Sequence, residues 1–379
     1  MGRALRVTGL WVATGALTAA ALGACGRGNN VDADSPTTRH GGRFPAAVVE
    51  PSTPDVTNAF GVTAATTTTS TTRKPAVTPT VANANPTTTA VTTPTRTRPS
   101  PTPMPAPRTS VGATGWQGLV VVAGGTDASG HPSARVDSYD PATGAWTQAP
   151  GLPQAVSDVA LGVLGDDLWA VGGFTAEGDQ KIAQAATYRF HPGDKAWRAG
   201  PVLATPRGGA ALGALNGQLV VLGGATTDGG TLDSVETLDL GASDWKLATP
   251  LTQKRAYASA IVGGGRIYAV GGRTEGVATA LDSVESWKPG DPWRVEQPLV
   301  TKRSGAGASG LCVAGGENGD GTVGTVECIA ARKWSTKFQM AVPRHGLAVV
   351  TLGGWLHAIG GGPTAGPSVN SSHEIFDLQ

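Results

Sequence analysis

Arg108, Arg207, Arg255 and Arg344 each stand sixteen residues before the first glycine of a Gly-Gly pair, and Arg303 stands twelve before its own. Each has a carboxylate downstream: Asp137, Glu236, Glu285, Glu374 and, for Arg303, Glu327. A guanidinium and a carboxylate at a recurring interval can hold a ligand, move a proton or neutralise one another inside a fold. One further unit discriminates among these, because Val156 and Tyr188 occupy its arginine and acid positions. Joint presence in five units and joint loss in the sixth is the pattern of an internal ion pair, since removing one member of a buried pair costs roughly 3–5 kcal/mol. A structural role is therefore favoured over a catalytic one.

The elements that carry these residues repeat. Gly pairs fall at 124/125, 172/173, 223/224, 271/272, 315/316 and 360/361, each ending a short apolar run such as VVVAGG, LVVLGG or IYAVGG. A spacing in the forties and low fifties over six units marks an array of small β-sheets. After each pair comes a loop and a second strand, most alike in LDSVETLDL from Leu232 and LDSVESW from Leu281. Trp146, Trp197, Trp245, Trp293 and Trp334 follow in five units, and in the first Tyr139 precedes its Trp with six residues between. Asn216-Gly217 between two strands is the preferred chemistry of a two-residue hairpin.

These features resemble the Kelch motif over residues 97–379. The resemblance implies an all-β fold, a six-bladed Kelch-type β-propeller with four antiparallel strands, a to d, per blade. The Tyr position departs to Phe190, Leu238, Trp287, Ile329 and Phe376, and the fifth unit is shortened. DPATGAW is also similar to repeats of quinone-binding propellers, which do not account for six Gly pairs. The last unit stops at Gln379 after its third strand, while RPSPTPMPAPR from Arg98 has the spacing of a fourth strand with no first three. Residues near 97–104 are thus expected to complete the sixth blade as an N-terminal strand, the alternative being an open three-stranded blade. Prolines there suit only an outermost strand.

Some Kelch-like propellers are copper radical oxidases or sialic acid epimerases, so a carbohydrate-active enzyme is the alternative to a binding module. The four Tyr and three Cys do not assemble the Tyr, His and Tyr–Cys set a copper oxidase needs. His345, His357 and His373 fall at inequivalent positions of one blade, which favours core or surface imidazoles over a metal site. Residues 263–266 (GGGR) read as a hairpin turn, because no helix follows to form a phosphate cradle. No catalytic residue, cofactor or metal is expected.

Residues 1–25 have the layout of a signal peptide, with Arg3 and Arg6 before an apolar run too short to span a bilayer comfortably. LGAC at 22–25 resembles a lipobox, with Cys25 as the lipid attachment residue. Cys312 and Cys328 then remain as an even pair on neighbouring strands, bridged or as two buried thiols. Residues 26–96 are rich in Thr and Pro and read as a disordered stalk. The formal net charge of +1 argues against a nucleic-acid partner.

The resulting expectation is an extracytoplasmic lipoprotein, anchored to the cell membrane through Cys25, that binds a protein or a cell-envelope glycan. Strand direction puts the longer b-to-c and d-to-a loops on one face, opposite the stalk, and loops on a rigid scaffold are the usual place for recognition. Candidate contacts there are His131, Phe174, Glu177, Asp228, Arg273, Glu275, Glu317 and Asp320.

Overall fold

The computed structural model describes residues 96–366 and 368–379; Cys25, the signal-like segment and the Thr/Pro-rich stretch up to residue 95 lie outside it. Six antiparallel sheets follow one another along the chain. The first blade runs Gly112–Trp116, Leu119–Ala123, Val136–Asp140 and Ala145–Ala149, in that spatial order. Blades 2 to 5 repeat the order, and blade 6 has only Ala348–Leu352, Trp355–Ile359 and His373–Asp377 as strands. Each innermost strand touches the innermost strand of the next blade, and that of blade 6 touches that of blade 1, so the sheets form a closed six-bladed ring.

The core is distributed between blades. Six apolar clusters each join two consecutive blades, as where Val121, Val136 and Leu152 of blade 1 meet Leu161, Leu168 and Trp197 of blade 2. Both faces of each middle strand are covered in this way, which accounts for uninterrupted apolar runs such as Leu119–Ala123. In the a-to-b hairpin of blade 3, Asn216 and Gly217 have φ of 51° and 75°, the two left-handed residues of a type I′ turn.

Outer strands are stapled by tryptophan. Trp197, Trp245 and Trp293 donate their indole N–H to Pro150 O, Pro201 O and Thr249 O of the preceding blade, at 2.9, 3.0 and 2.8 Å. Trp146 of blade 1 makes the same bond to Thr102 O at 3.0 Å. By that register the segment before blade 1 occupies the outer position of blade 6. Met104 extends the equivalence: its N–H bonds Ser371 O at 2.9 Å, as Leu203 bonds Ala185 O and Leu251 bonds Asp233 O. Its side chain is 2% exposed and packs between blades 6 and 1.

The segment closes the ring without becoming a regular strand. Pro99, Pro101, Pro103 and Pro105 have no N–H, so a ladder along His373–Asp377 cannot form. Side chains substitute for it: Arg98 donates to Ile375 O at 2.9 Å, while Arg96 pairs with Asp377 at 2.8 Å and lies 3.8 Å over the Trp355 ring. Contact with blade 6 thus already includes Arg96, one position before the boundary read from composition.

The arginines and carboxylates meet inside the blades. Arg108–Asp137, Arg207–Glu236, Arg255–Glu285 and Arg344–Glu374 lie at 2.9, 2.6, 2.5 and 2.5 Å, and Arg303 pairs with Glu327. Each guanidinium also donates to a carbonyl of the Gly pair: Gly124, Gly223, Gly271, Gly315 or Gly360. In the four Glu blades the second carboxylate oxygen takes a backbone N–H from the incoming chain, at Ala204, Thr252, Val300 or Ala341. Blade 1 has Pro105 at that point, with no N–H to give, and its acid is the shorter Asp137; Arg135 fills the gap at 2.7 Å. Burial lowers the affinity of Arg108, Arg207, Arg255 and Arg303 for their protons, opposed by the paired carboxylates.

Cys312 and Cys328 are bonded as a disulfide between directly opposed residues of neighbouring strands in blade 5. That blade has the shortest inner strands of the ring, Gly307–Ser309 and Cys312–Ala314.

Candidate functional site

The d-to-a connections converge on the ring axis. Two residues after each blade arginine, or after Val156 in blade 2, stand Ser110, Asp158, Gly209, Tyr257, Gly305 and Gly346, with φ between 53° and 60°. Asp158 N–H donates to Ser110 O (2.8 Å), Gly209 to Asp158 O (2.9 Å), Tyr257 to Gly209 O (2.7 Å), Gly305 to Tyr257 O (2.9 Å) and Gly346 to Gly305 O (2.7 Å). Val111 N–H closes the circle on Gly346 O at 3.3 Å. A closed backbone belt therefore rings the axis.

Glycine suits this left-handed backbone, and three of the six positions have it. Ser110, Asp158 and Tyr257 hold it with side chains, which costs on the order of 1–3 kcal/mol each, most for a bulky residue such as Tyr. Backbone strain of this kind concentrates where side chains have a task. Gly209 answers to Tyr257: a Cβ there would sit 2.9 Å from the Tyr257 ring.

Above the belt, on the loop-rich face, lies a cavity of about 560 Å3 bounded by blades 1, 2, 4, 5 and 6. Two ion pairs reach into it. Lys181, on the hairpin Phe174–Ala183, contacts Asp158 at 3.3 Å, and Asp158 also accepts from the Ser157 hydroxyl at 3.0 Å. Asp158 keeps only 6% of its side chain exposed while Lys181 keeps 56%, so the lysine end is the accessible one. Arg273 pairs with Glu317 at 3.0 Å, and its guanidinium lies 4.0 Å over the Tyr257 ring. The Arg273 Nε is buried without a partner among the described residues. His345 bonds Thr364 O at 3.0 Å through Nε2 and approaches Glu317 at 4.0 Å through Nδ1.

Electrostatics holds these groups in defined states. The Asp158 charge raises the Lys181 pKa against the cost of burial. Burial, helped by the same carboxylate, pushes the Tyr257 hydroxyl above its ordinary value and keeps it protonated, although Lys181 and Arg273 pull the other way. Tyr257 is thus a hydrogen-bond donor at neutral pH and not a base. Among the described residues no group of three or more His, Cys, Asp and Glu has the geometry to hold a metal ion.

Of the candidates read from the sequence, His131, Arg273 and Glu317 line this cavity. Phe174 does not contact ligand space and is corrected to a core residue. It is 2% exposed, packed with Ala183, Ala225 and Ala256, because it is the root that seats the hairpin on blade 3. Glu177, Asp228, Glu275 and Asp320 are exposed outside the cavity lining. Asp228 serves its own turn, where the Thr226 hydroxyl and Gly230 N–H lower its pKa. Asp158, Lys181 and Tyr257 line the cavity without having been singled out, and His345, weighed in the sequence only as a metal ligand, lines it as well. The available signal was the belt position, where Ser, Asp and Tyr stand in the place that is Gly in three blades.

Residues 107–153 and 254–295 match the Kelch motif. The chain is 26% identical to Kelch repeat protein M-T8 of Myxoma virus (strain Lausanne), over 46% of this chain and 34% of that protein. It is 28% identical to Beta-scruin of Limulus polyphemus over 35% of this chain and 15% of that one. It is 27% identical to Kelch-like protein 34 of Homo sapiens over 45% and 28%. The chain therefore spans about a third or less of the length of these relatives. The solved structure of YjhT superposes with a TM-score of 0.63 at 15% identity, covering 73% of this chain and 97% of that one, a likeness of fold.

Proposed function

Taking the chain as a six-bladed propeller built of Kelch repeats, we propose that it is a ligand-binding module of the cell envelope. A lipid on Cys25 anchors it, the Thr/Pro-rich stretch spaces it from the membrane, and the axial cavity receives a protein segment or an envelope glycan. The carrying observation is that cavity, bounded by five blades, into which three of them bring Asp158–Lys181 and Arg273–Glu317 although neither pair belongs to the repeated blade framework. Kelch propellers are used as protein-binding scaffolds, and the fold alone assigns no ligand.

The route of the chain supports an outward-facing cavity. Arg96 sits beside Asp377 and Trp355, next to the a-to-b turn at Gly353-Gly354, which is the face opposite the cavity. A tether arriving there leaves the loop-rich face free.

The test is affinity capture from envelope extracts with the full chain as bait, beside a Ser129→Trp variant that places a bulky ring at the exposed cavity rim. Capture lost in the variant supports the reading. Equal capture by both forms removes the cavity from it.

The carbohydrate-active alternative draws on the same site, because Tyr257 and Asp158 line one cavity and could supply a hydrogen-bond donor and a carboxylate to a bound sugar. Turnover of a glycan that disappears in Tyr257→Phe would favour it.

A further inference from the structure

The cavity chemistry favours one ligand class, and this inference rests on the reading of the cavity as the binding site. We infer that it takes a neutral polyol of about hexose size, such as the end residue of an uncharged glycan, and discriminates against acidic sugars.

The belt fixes what a ligand meets. Belt N–H groups and carbonyls are spent on one another, so the floor of the cavity offers few free backbone partners. Recognition falls to side chains, and their charges are nearly balanced. The lining has three carboxylates, Asp158, Asp179 and Glu317, against two permanent cations, Lys181 and Arg273. Both cations are already engaged, with Asp158 at 3.3 Å and Glu317 at 3.0 Å. A carboxylated ligand would add a fourth negative charge to a lining where three carboxylates already face two cations, a repulsion that costs most beside the almost wholly buried Asp158.

A neutral hydroxyl makes no such demand. Each hydroxyl both donates and accepts, and a side-by-side guanidinium and carboxylate presents a donor and an acceptor at the spacing of neighbouring ring hydroxyls. Arg273 and Glu317 form such a pair, and the Arg273 Nε has no acceptor among the described residues. Tyr257 adds a donor held protonated. The volume of about 560 Å3 falls within the range of roughly 300–1,000 Å3 used by small-molecule sites. Left-handed backbone at Asp158 and Tyr257, where other blades use Gly, directs these two side chains from the belt at the cost of strain.

The experiment is calorimetric titration of the detergent-solubilised full chain with methyl glycosides of glucose, galactose and mannose, with neutral disaccharides, and with glucuronic and galacturonic acids. At least one neutral sugar should bind about tenfold or more tightly than its uronic acid, and Arg273→Lys should weaken it about tenfold with the fold intact by circular dichroism. Tighter binding of a disaccharide than of its methyl glycoside would identify a chain end over a free sugar as the source. A uronic acid that binds more tightly, or neutral-sugar binding indifferent to Arg273→Lys, overturns the inference. If no sugar binds while Ser129→Trp still abolishes capture from extracts, the ligand class is wrong and the site stands; if Ser129→Trp leaves capture unchanged, the site itself is wrong.

Discussion

His357 Nδ1 and His373 Nε2 lie 2.9 Å apart inside blade 6, and His373 Nδ1 lies 3.0 Å from the Thr102 carbonyl. A carbonyl can only accept, so His373 carries its proton on Nδ1 and presents a bare Nε2 to the Nδ1–H of His357. His357 Nε2 is then a bare, buried acceptor with no partner among the described residues. Two neutral imidazoles thereby connect the closing segment to the middle of the sheet.

Acid should weaken this connection. Burial lowers the pKa of His357 to about 3 and that of His373 to about 4. Both lie below the unfolded value of 6.5, so the unfolded chain binds more protons in between. Stability from this source is complete above pH 6.5 and is lost as pH falls toward about 3. Each imidazole loses about 1.4 kcal/mol for every pH unit of that descent in which it is charged only in the unfolded chain. The carboxylates with lowered pKa, such as Asp140 and Asp239, act only below their own ordinary value of 3.8. Melting temperature followed from pH 7 to pH 4 should therefore fall in the native chain and fall less in His357→Leu. Parallel profiles would refute the buried neutral pair.

The closing segment should be worth more than its single ladder bond suggests. Deleting residues 96–106 removes Met104 from the interface between blades 6 and 1 and should sharply lower the urea midpoint or prevent folding. Met104→Ala alone should cost about 2–5 kcal/mol, whereas Arg96→Ala, which breaks a partly exposed pair, should cost about 1 kcal/mol or less. An unchanged midpoint on deletion would mean that three strands suffice for the last blade.

Glu236→Gln should destabilise the protein by several kcal/mol, up to about 3–5, because Arg207 is fully buried and loses its countercharge. Blade 2 manages with Val156 and Tyr188, so Arg207→Val combined with Glu236→Tyr should recover part of the loss. A double variant as unstable as the sum of the single ones would show that the blades are not interchangeable in this respect.

Replacing Cys312 and Cys328 together by Ala should lower stability by about 2–4 kcal/mol, since the bridge constrains the unfolded chain. Peptide mapping without reductant should recover the two cysteines in one linked fragment, and free thiols at both would contradict the bridge.

Asp158→Gly separates stability from recognition. Glycine relieves the left-handed backbone while the variant loses the contacts to Lys181 and Ser157, so folding stability should stay within about 1 kcal/mol. Ligand capture should nevertheless disappear. Retained capture would exclude Asp158 from the site.

Blade number, the Gly pairs, the partners Arg207–Glu236 and their equivalents, and the outer position of Met104 were all readable from residue order. Each is a local feature repeated at a fixed interval, and the blade that lacks it, with Val156 and Tyr188, serves as an internal control. The closing segment was half legible: spacing gave its outer position and its prolines were read as fitting an outermost strand, but no regular strand forms there and only the folded chain reveals Arg96 and Arg98 acting in place of the ladder. Phe174 was misassigned because a loop position does not disclose what packs beneath it.

The axial site was decided by tertiary structure. Asp158, Lys181, Tyr257, Arg273 and Glu317 come from three blades; Asp158 and Tyr257 hold equivalent belt positions and Arg273 and Glu317 each follow a Gly pair, but nothing in residue order says that these positions share one cavity. They meet because ring closure carries equivalent loop positions of every blade to one axis, where a departure from Gly that looks minor in sequence becomes a side chain aimed at a shared cavity.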